Sequence, residues 1–331
     1  MELNNLKNKT ILITGATGLI GSNIVKYLLD INKKNNLSIN IIVLIRSKSK
    51  MYAILGNLVN NPNLKYIISK KWVEKIPTIN EDIDYIIHGA NPTSSKYFIE
   101  HPVETMEIAV KGTNSLLELA KEKQVKSFVF LSTMEVYGNP DKGHKITESE
   151  VGRFDTTIIR NCYPLSKQFC ENLCCAYFHE YKVQAKIARL TQTFGPGVKY
   201  NDGRVFAEFA RCAIENHNIV LKTKGETERC YLYTEDAVSA ILTILLKGEA
   251  GQTYTVANED TYCSIYNMAK LVANEYNIDV EIQEQDIASQ GYANTLYMDL
   301  DTTKLQSLGW KPRVGLKEMY VKMIESMKKL T

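Results

Sequence analysis

Thr10-Ile11-Leu12-Ile13-Thr14-Gly15-Ala16-Thr17-Gly18-Leu19-Ile20-Gly21 is the stretch on which the fold turns. An apolar β-branched run ends at the first of three glycines spaced three apart, and an amphipathic helical pattern runs on from residue 19 to 30. The glycines answer three physical needs, which are an unusual backbone turn, close approach of a phosphate to the main chain, and tight packing of the helix on its strand. The helix start then offers unpaired N–H groups and the positive end of its dipole to an anion. The stretch predicts a dinucleotide site, with Gly15, Thr17, Gly18, Leu19, Ile20 and Gly21 around the pyrophosphate.

Outward from this stretch, short β-branched runs alternate with helix-length amphipathic ones, the pattern of parallel strands joined by crossover helices. Strands are predicted at 10–14, 39–45, 66–68, 83–88, 127–132 and 185–190, with helices at 19–30, 103–122 and 164–181. In the second helix Val103, Met106, Val110, Leu117 and Ala120 fall largely on one stripe. Beyond about residue 190 the pattern loosens into Gly and Pro turns, short strands and three helices near 234–246, 264–276 and 316–327. The expected fold is α/β: a Rossmann-type doubly wound parallel sheet over 1–190 that carries the chemistry, then a smaller mixed α/β substrate lobe over 191–331, open to interleaving with the first.

Forty basic against thirty-seven acidic side chains leave a formal +3 on 331 residues, too little for a general nucleic-acid or membrane binder. The polar start, with its first apolar run broken at Gly15, offers no secretory core, and no apolar run reaches membrane-spanning length, so a cytoplasmic protein is expected. Seven cysteines, an odd number with four at Cys162, Cys170, Cys174 and Cys175, fit reduced thiols better than a disulfide framework. Cys175 and His179 stand at i,i+4 but lack further ligands, and no metal is expected.

The second strand ends at Leu44-Ile45-Arg46-Ser47-Lys48, and residues 31–73 contain no Asp or Glu. An acid there would bind the ribose hydroxyls of NAD and repel the 2′-phosphate of NADP. Arg46 can instead fork onto that phosphate, with Ser47 and Lys48 adding donors. NADP is the expected cofactor, with NAD as the alternative; a solvated basic loop would read the same way.

Tyr163-Pro164-Leu165-Ser166-Lys167 opens the third helix, with Pro164 tolerated in its first turn. Tyr163 and Lys167, four apart, share a face. A free tyrosine titrates near pH 10, and a lysine cation, a nicotinamide charge and the helix dipole would all draw it down toward working pH. Upstream, Leu131-Ser132-Thr133-Met134-Glu135 leaves a strand at its carboxyl end, where ligand chemistry sits in open α/β sheets.

The Gly-x-x-Gly-x-x-Gly spacing, Thr133-Met134-Glu135 and Tyr163-x-x-x-Lys167 together resemble the extended short-chain dehydrogenase/reductase family, in its nucleotide-sugar epimerase/dehydratase branch. The resemblance continues through Arg189-Leu190 with Phe194-Gly195-Pro196-Gly197, through Gly225 with Arg229-Cys230-Tyr231-Leu232-Tyr233-Thr234-Glu235-Asp236, and through Leu308-Gly309-Trp310-Lys311-Pro312. It implies Tyr163 as acid/base at a sugar oxygen, Thr133 as its hydroxyl partner, and Lys167 on the nicotinamide ribose. It also implies Ala90 against the cofactor, Ser132, Thr133, Met134, Gln192 and Arg204 along the substrate, and Arg229 on its diphosphate. Two copies of such a chain would pair through helices 103–122 and 164–181.

Three departures bear on function. Gln192 and Ala109 stand where the family usually has asparagine, and Met134 stands where sugar 4,6-dehydratases carry an aspartate facing C5 and C6. Met134 cannot donate a proton, which disfavours dehydration although Glu135 remains available. A thioether suits a methyl neighbour, so the expected activity is reduction of a 4-keto-6-deoxysugar nucleotide, with 4-epimerisation as the alternative. Oxidative decarboxylation of a sugar acid stays open through Glu135, and a non-enzymatic NAD(P) sensor would have little need of Thr133, Tyr163 and Lys167 together.

Overall fold

The computed structural model describes residues 3–284 and 295–329. A seven-stranded parallel sheet forms its centre: β1 (Thr10–Thr14), β2 (Asn40–Ile45), β3 (Leu64–Ile68), β4 (Tyr85–His88), β5 (Ser127–Thr133), β7 (Ala185–Leu190) and β11 (Thr253–Val256), in the order β11-β7-β5-β4-β1-β2-β3. From β1 the chain builds outward through β2 and β3, then returns to the other side of β1 with β4, so the crevice between the carboxyl ends of β1 and β4 is the topological switch point where ligands bind in such sheets.

Strand alternation sends Ile11 and Ile13 to one core and Leu12 to the other. The first core is covered by α1 (Leu19–Asn35) and α7 (Thr234–Lys247), the second by α4 (Pro102–Glu122) and α5 (Cys162–Tyr181). Both sheet faces are therefore dry, which is why these strands read as continuous apolar runs. A smaller lobe holds a second sheet, with β10 (Glu228–Tyr233) between β12 (Asn258–Ser264) and β14 (Tyr297–Leu300), β6 (Lys145–Ile146) beyond β14, and β8 (Gln192–Phe194) also on β10. Its own core packs α6 (Val205–Glu215), α8 (Ile265–Tyr276) and the helix Leu316–Lys328 together. A two-stranded ribbon pairs β9 (Ile219–Leu221) with β13 (Val280–Ile282). The two halves interleave: α7 and β11 come from beyond residue 190 yet complete the large sheet, with Thr253 beside Ile187.

Several expectations are corrected. Helix α1 runs past residue 30 to Asn35 and stops at Asn36, which takes a left-handed φ of 51°. Helices α2 (Lys48–Leu55), α3 (Ser95–Glu100) and α6 were not foreseen; α2 and α3 are short and carry little apolar stripe to betray them. In α4 the buried stripe is Thr105, Ile108, Ala109, Gly112, Thr113, Leu116, Leu117, Leu119 and Ala120, while Val103 and Met106 are exposed. Gly112 is required there, because a Cβ would stand 2.9 Å from the Trp72 ring.

Candidate active site

The glycine turn is the floor of the crevice. Gly15 has a φ of +77°, and a Cβ on it would stand 2.6 Å from the Gly89 carbonyl group at the end of β4. A Cβ on Gly21 would stand 2.3 Å from the Gly15 carbonyl oxygen. At Gly18 an added Cβ meets only that oxygen, at 3.2 Å, so the turn stays open where α1 begins with Leu19 and Ile20. The open turn, the helix amino terminus behind it and the orphaned amide of Asn91 fit a dinucleotide: both side-chain polar atoms of Asn91 are buried without a partner, beside Ala90. Ala90 donates its N–H to the Thr14 hydroxyl at 3.3 Å, and Thr14 in turn meets His88 Nδ1 at 2.7 Å. His88 is buried between Thr14 and Thr113; burial, then the Lys167 charge, hold its pKa at about 3, so it is neutral.

At the end of β2, Arg46 is exposed. Ser47 caps α2 by accepting from the Lys50 N–H at 3.2 Å. Lys48 turns away, its ammonium lying 5.6 Å from the Tyr52 ring centre and 5.7 Å from that of Tyr66. Lys50, exposed at its surface, is held below the usual lysine range by partial desolvation, then by the charges of Lys199 and Arg46. The basic cluster at this corner is thus Arg46, Lys50 and Lys199.

The reacting groups gather at the end of β5. A short 3-10 turn, Ile159–Asn161, delivers the chain into α5, so Tyr163 lies within the first turn of that helix. The Thr133 hydroxyl acts on that of Tyr163, favouring its ionisation, and Thr133 accepts the Glu135 N–H at 3.3 Å. One turn on, the buried Lys167 donates to the Leu131 carbonyl at 2.8 Å, with its ammonium 6.0 Å from the Tyr163 ring centre. No carboxylate bonds Lys167 among the described residues, which leaves N–H groups for a ligand's hydroxyls. Burial brings its pKa down to about 8, against the opposing charges of Cys170, Glu171 and Cys174.

In the chain alone the Tyr163 hydroxyl is not drawn down as the sequence suggested. Burial, then the Glu135 carboxylate, push it up, and the Thr133 hydroxyl and the Arg160 charge only partly offset them. Glu135 is ion-paired to Arg160 at 2.9 Å, and the Phe98 ring stacks on that of Tyr163 with centroids 4.2 Å apart and planes 8° from parallel.

Ser132 and Met134 do not join this cluster. Ser132 points to the opposite face of β5 from Thr133 and donates to Glu171 at 2.5 Å; Arg189 forks onto the same carboxylate at 2.8–3.2 Å. Met134 is buried with Tyr137, Ile146, Cys230, Ala257, Met298 and Leu300, and the Thr191 hydroxyl donates toward its sulfur at 3.2 Å.

Of the lobe residues, Gln192 and Arg229 sit on neighbouring strands β8 and β10, and Gln192 comes two residues after Leu190, the partner of Thr133. The Oε1 of Gln192 and the Nε of Arg229 are buried without a protein partner, as groups awaiting a ligand would be. Arg204 is different: it is forked onto Asp202 at 2.9 and 2.6 Å. Sequence reasoning missed Phe98, Arg160, Lys50, Lys199 and Asn91. Arg160 lies three residues before Tyr163 and was within reach, whereas Phe98 touches Tyr163 only through the fold.

Among the described residues, no helix is long and apolar enough to cross a membrane, and no three His, Cys, Asp or Glu side chains gather as metal ligands.

The model of the NAD dependent epimerase/dehydratase family matches residues 11–258. UDP-glucuronic acid decarboxylase 6 of Arabidopsis thaliana is 29% identical over 311 residues, 94% of this chain and 86% of that protein. The human dTDP-D-glucose 4,6-dehydratase is 28% identical over 327 residues, 96% of this chain and 89% of that one. The solved UDP-glucose 4-epimerase of Thermotoga maritima, bound to UDP-glucose, superposes with a TM-score of 0.80 at 24% identity, covering 97% of this chain and 99% of its own. The chain therefore belongs to the NAD dependent epimerase/dehydratase family, the extended short-chain dehydrogenase/reductase group that its motifs resemble.

Proposed function

We propose that the protein oxidises C4 of a bound nucleotide-diphosphate sugar and returns the hydride before releasing it. The observation that carries this is the convergence of Thr133, at the carboxyl end of β5, on the Tyr163 hydroxyl, with Lys167 one helical turn behind. Two neighbouring hydroxyls can hold one sugar oxygen between them. Tyr163 takes the proton of that oxygen on oxidation and gives it back on reduction, while Thr133 fixes its position. A nicotinamide cofactor, held by the glycine turn and Lys167, supplies the hydride acceptor. Arg229 holds the diphosphate end with its unpartnered buried Nε–H, and the unpartnered Oε1 of Gln192 accepts from a hydroxyl or N–H of the sugar nucleotide. The relatives named above act on or bind UDP- and dTDP-sugars, which supports the substrate class.

The 4-keto-6-deoxysugar reductase reading needs Met134 beside the sugar; its side chain is buried in an apolar cluster with Cys230, Met298 and Leu300. Reduction with exchange of cofactor remains the second reading, favoured by the basic corner of Arg46, Lys50 and Lys199, which suits the 2′-phosphate of NADP. A second copy of the chain pairs, in this reading, through α4 and α5.

Mass spectrometry of cofactor released from the purified protein, with a screen of UDP-, dTDP-, GDP- and CDP-sugars, tests the proposal. A carried NAD(P) and a C4-altered product without net cofactor consumption are expected. Stoichiometric NADPH consumption would favour the reductase, and no change in any sugar nucleotide would refute both.

A further inference from the structure

Phe98 reaches Tyr163 from a segment that the proton chemistry does not otherwise use. In α3 its side chain is buried, only 1% exposed, while Ile99 beside it is 59% exposed. The buried apolar cluster that contains Phe98 has Cys162 and Tyr163 as its other members, and it stands apart from the cores of the large sheet and the lobe. Phe98 therefore adds little to the general core. What it covers is the catalytic ring.

Its place is fixed from two sides. Cys162, next to Tyr163 in α5, donates to the Phe98 carbonyl at 3.4 Å. At the far end of α3 the His101 N–H donates to the Tyr97 carbonyl at 2.8 Å, and the His101 carbonyl accepts from the buried Thr105 hydroxyl of α4, also at 2.8 Å. Held between α4 and α5, the Phe98 ring meets that of Tyr163 with centroids 4.2 Å apart and planes 8° from parallel.

The first side-chain torsion of a tyrosine sets where its oxygen lies, whereas the second is broad and only turns the ring plane. Conjugation keeps a phenolic O–H in that plane, so the plane decides the direction from which the proton leaves or arrives. The helix that carries Tyr163 does not set it. A near-parallel ring at 4.2 Å does, because turning Tyr163 would drive its edge into the Phe98 face.

We propose that Phe98 is a positioning residue for the proton transfer: its ring holds the plane of Tyr163 and so aims the phenolic oxygen's proton at the sugar's C4 oxygen. This rests on the C4 reading above. Phe98 acts through Tyr163.

Two measurements test it. Nuclear magnetic resonance of isotope-labelled tyrosine follows the flipping of the Tyr163 ring, whose signal is identified by its loss in Tyr163→Phe. Phe98→Leu and Phe98→Met, which stay apolar and lose the flat face, should speed the flip by about tenfold, the scale of one aromatic pair lost. Phe98→Tyr, which keeps the face, should leave it slow. In turnover, Phe98→Leu should lower kcat by about tenfold with KM nearly unchanged, and Phe98→Tyr should restore it. In a Tyr163→Phe background Phe98→Leu should cost nothing further, since no hydroxyl remains to be aimed.

An unaltered flip rate in folded Phe98→Leu and Phe98→Met proteins, an unchanged kcat, or an equal loss of rate in the Tyr163→Phe background overturns the proposal. Should the wild-type protein leave every sugar nucleotide untouched, the C4 reading fails by itself, while the flip rates still uphold or overturn the hold of Phe98 on Tyr163.

Discussion

Replacing Tyr163 by Phe isolates a single oxygen. The stacked contact with Phe98, 4.2 Å between centroids, is kept, because both rings remain. What is lost is the phenolic oxygen, the group that carries the proton. A general acid/base typically contributes about 10²–10⁴-fold to rate. Turnover should therefore fall by at least about two powers of ten while cofactor and sugar-nucleotide binding change little. Single-turnover reduction of bound cofactor, followed at its near-ultraviolet absorbance, reads the chemical step apart from release. Near-normal single-turnover rates in a folded Tyr163→Phe protein would remove Tyr163 from the mechanism. Loss of binding with an unchanged rate would recast it as a wall of the pocket.

Arg46→Asp should weaken NADP by about ten- to a hundredfold relative to NAD, since a charge-assisted fork is worth roughly 1.5–3 kcal/mol; parallel titrations check it, and an unchanged ratio counts against the basic corner. His88, neutral with a folded pKa of about 3 against an ordinary 6.5, binds its proton more readily in the unfolded chain, so stability present above pH 6.5 is lost as pH falls toward 3. The loss approaches about 4 kcal/mol at the acid end, and His88→Asn should flatten urea-unfolding stability across that window. Phe169 and Val103, 53% and 69% exposed on α5 and α4, place apolar surface where a second copy would pair. Phe169→Glu should accordingly shift sedimentation from dimer to monomer, and a wild-type monomer would dismiss the pairing.

The legible part of the fold was the part that periodicity records. β1, its glycines and α1 could be read because burial on both faces demands an unbroken apolar run and the turn demands glycine. Helices α4 and α5 were found for the same reason, yet the outward turn of Val103 and Met106 was not, since a stripe drawn from sequence cannot say which neighbours will cover its first turn. In the site, the shared face of Tyr163 and Lys167 was legible from their spacing, and Thr133 entered only through the family resemblance. The surroundings of Met134 were not legible, because its neighbours, among them Cys230, Met298 and Leu300, arrive from far along the chain and enclose it in an apolar cluster. Tyr163 was expected to be eased toward ionisation by Lys167, whereas burial sets the balance, and burial is a property of the assembled fold.

What binds the stability of the large sheet to the geometry of the site is the far side of β5 and α5. Glu171 lies one turn beyond Lys167 and accepts from Ser132 and three times from Arg189. Arg189 also donates to the carbonyls of Glu148 and Glu150 at 3.2 and 3.0 Å, and Glu148 accepts the Thr255 N–H at 2.7 Å. One buried carboxylate thus ties the helix that carries Tyr163 to β5, to β7 and, through the 148–150 loop, to β11. Removal of one member of such a pair strands a buried charge and typically costs about 3–5 kcal/mol, far more than an exposed pair such as Glu135–Arg160. The two ion pairs flanking β5 therefore serve opposite ends. The forked, enclosed one holds the helix of Tyr163 against β5, and the single, open one adds little to that hold.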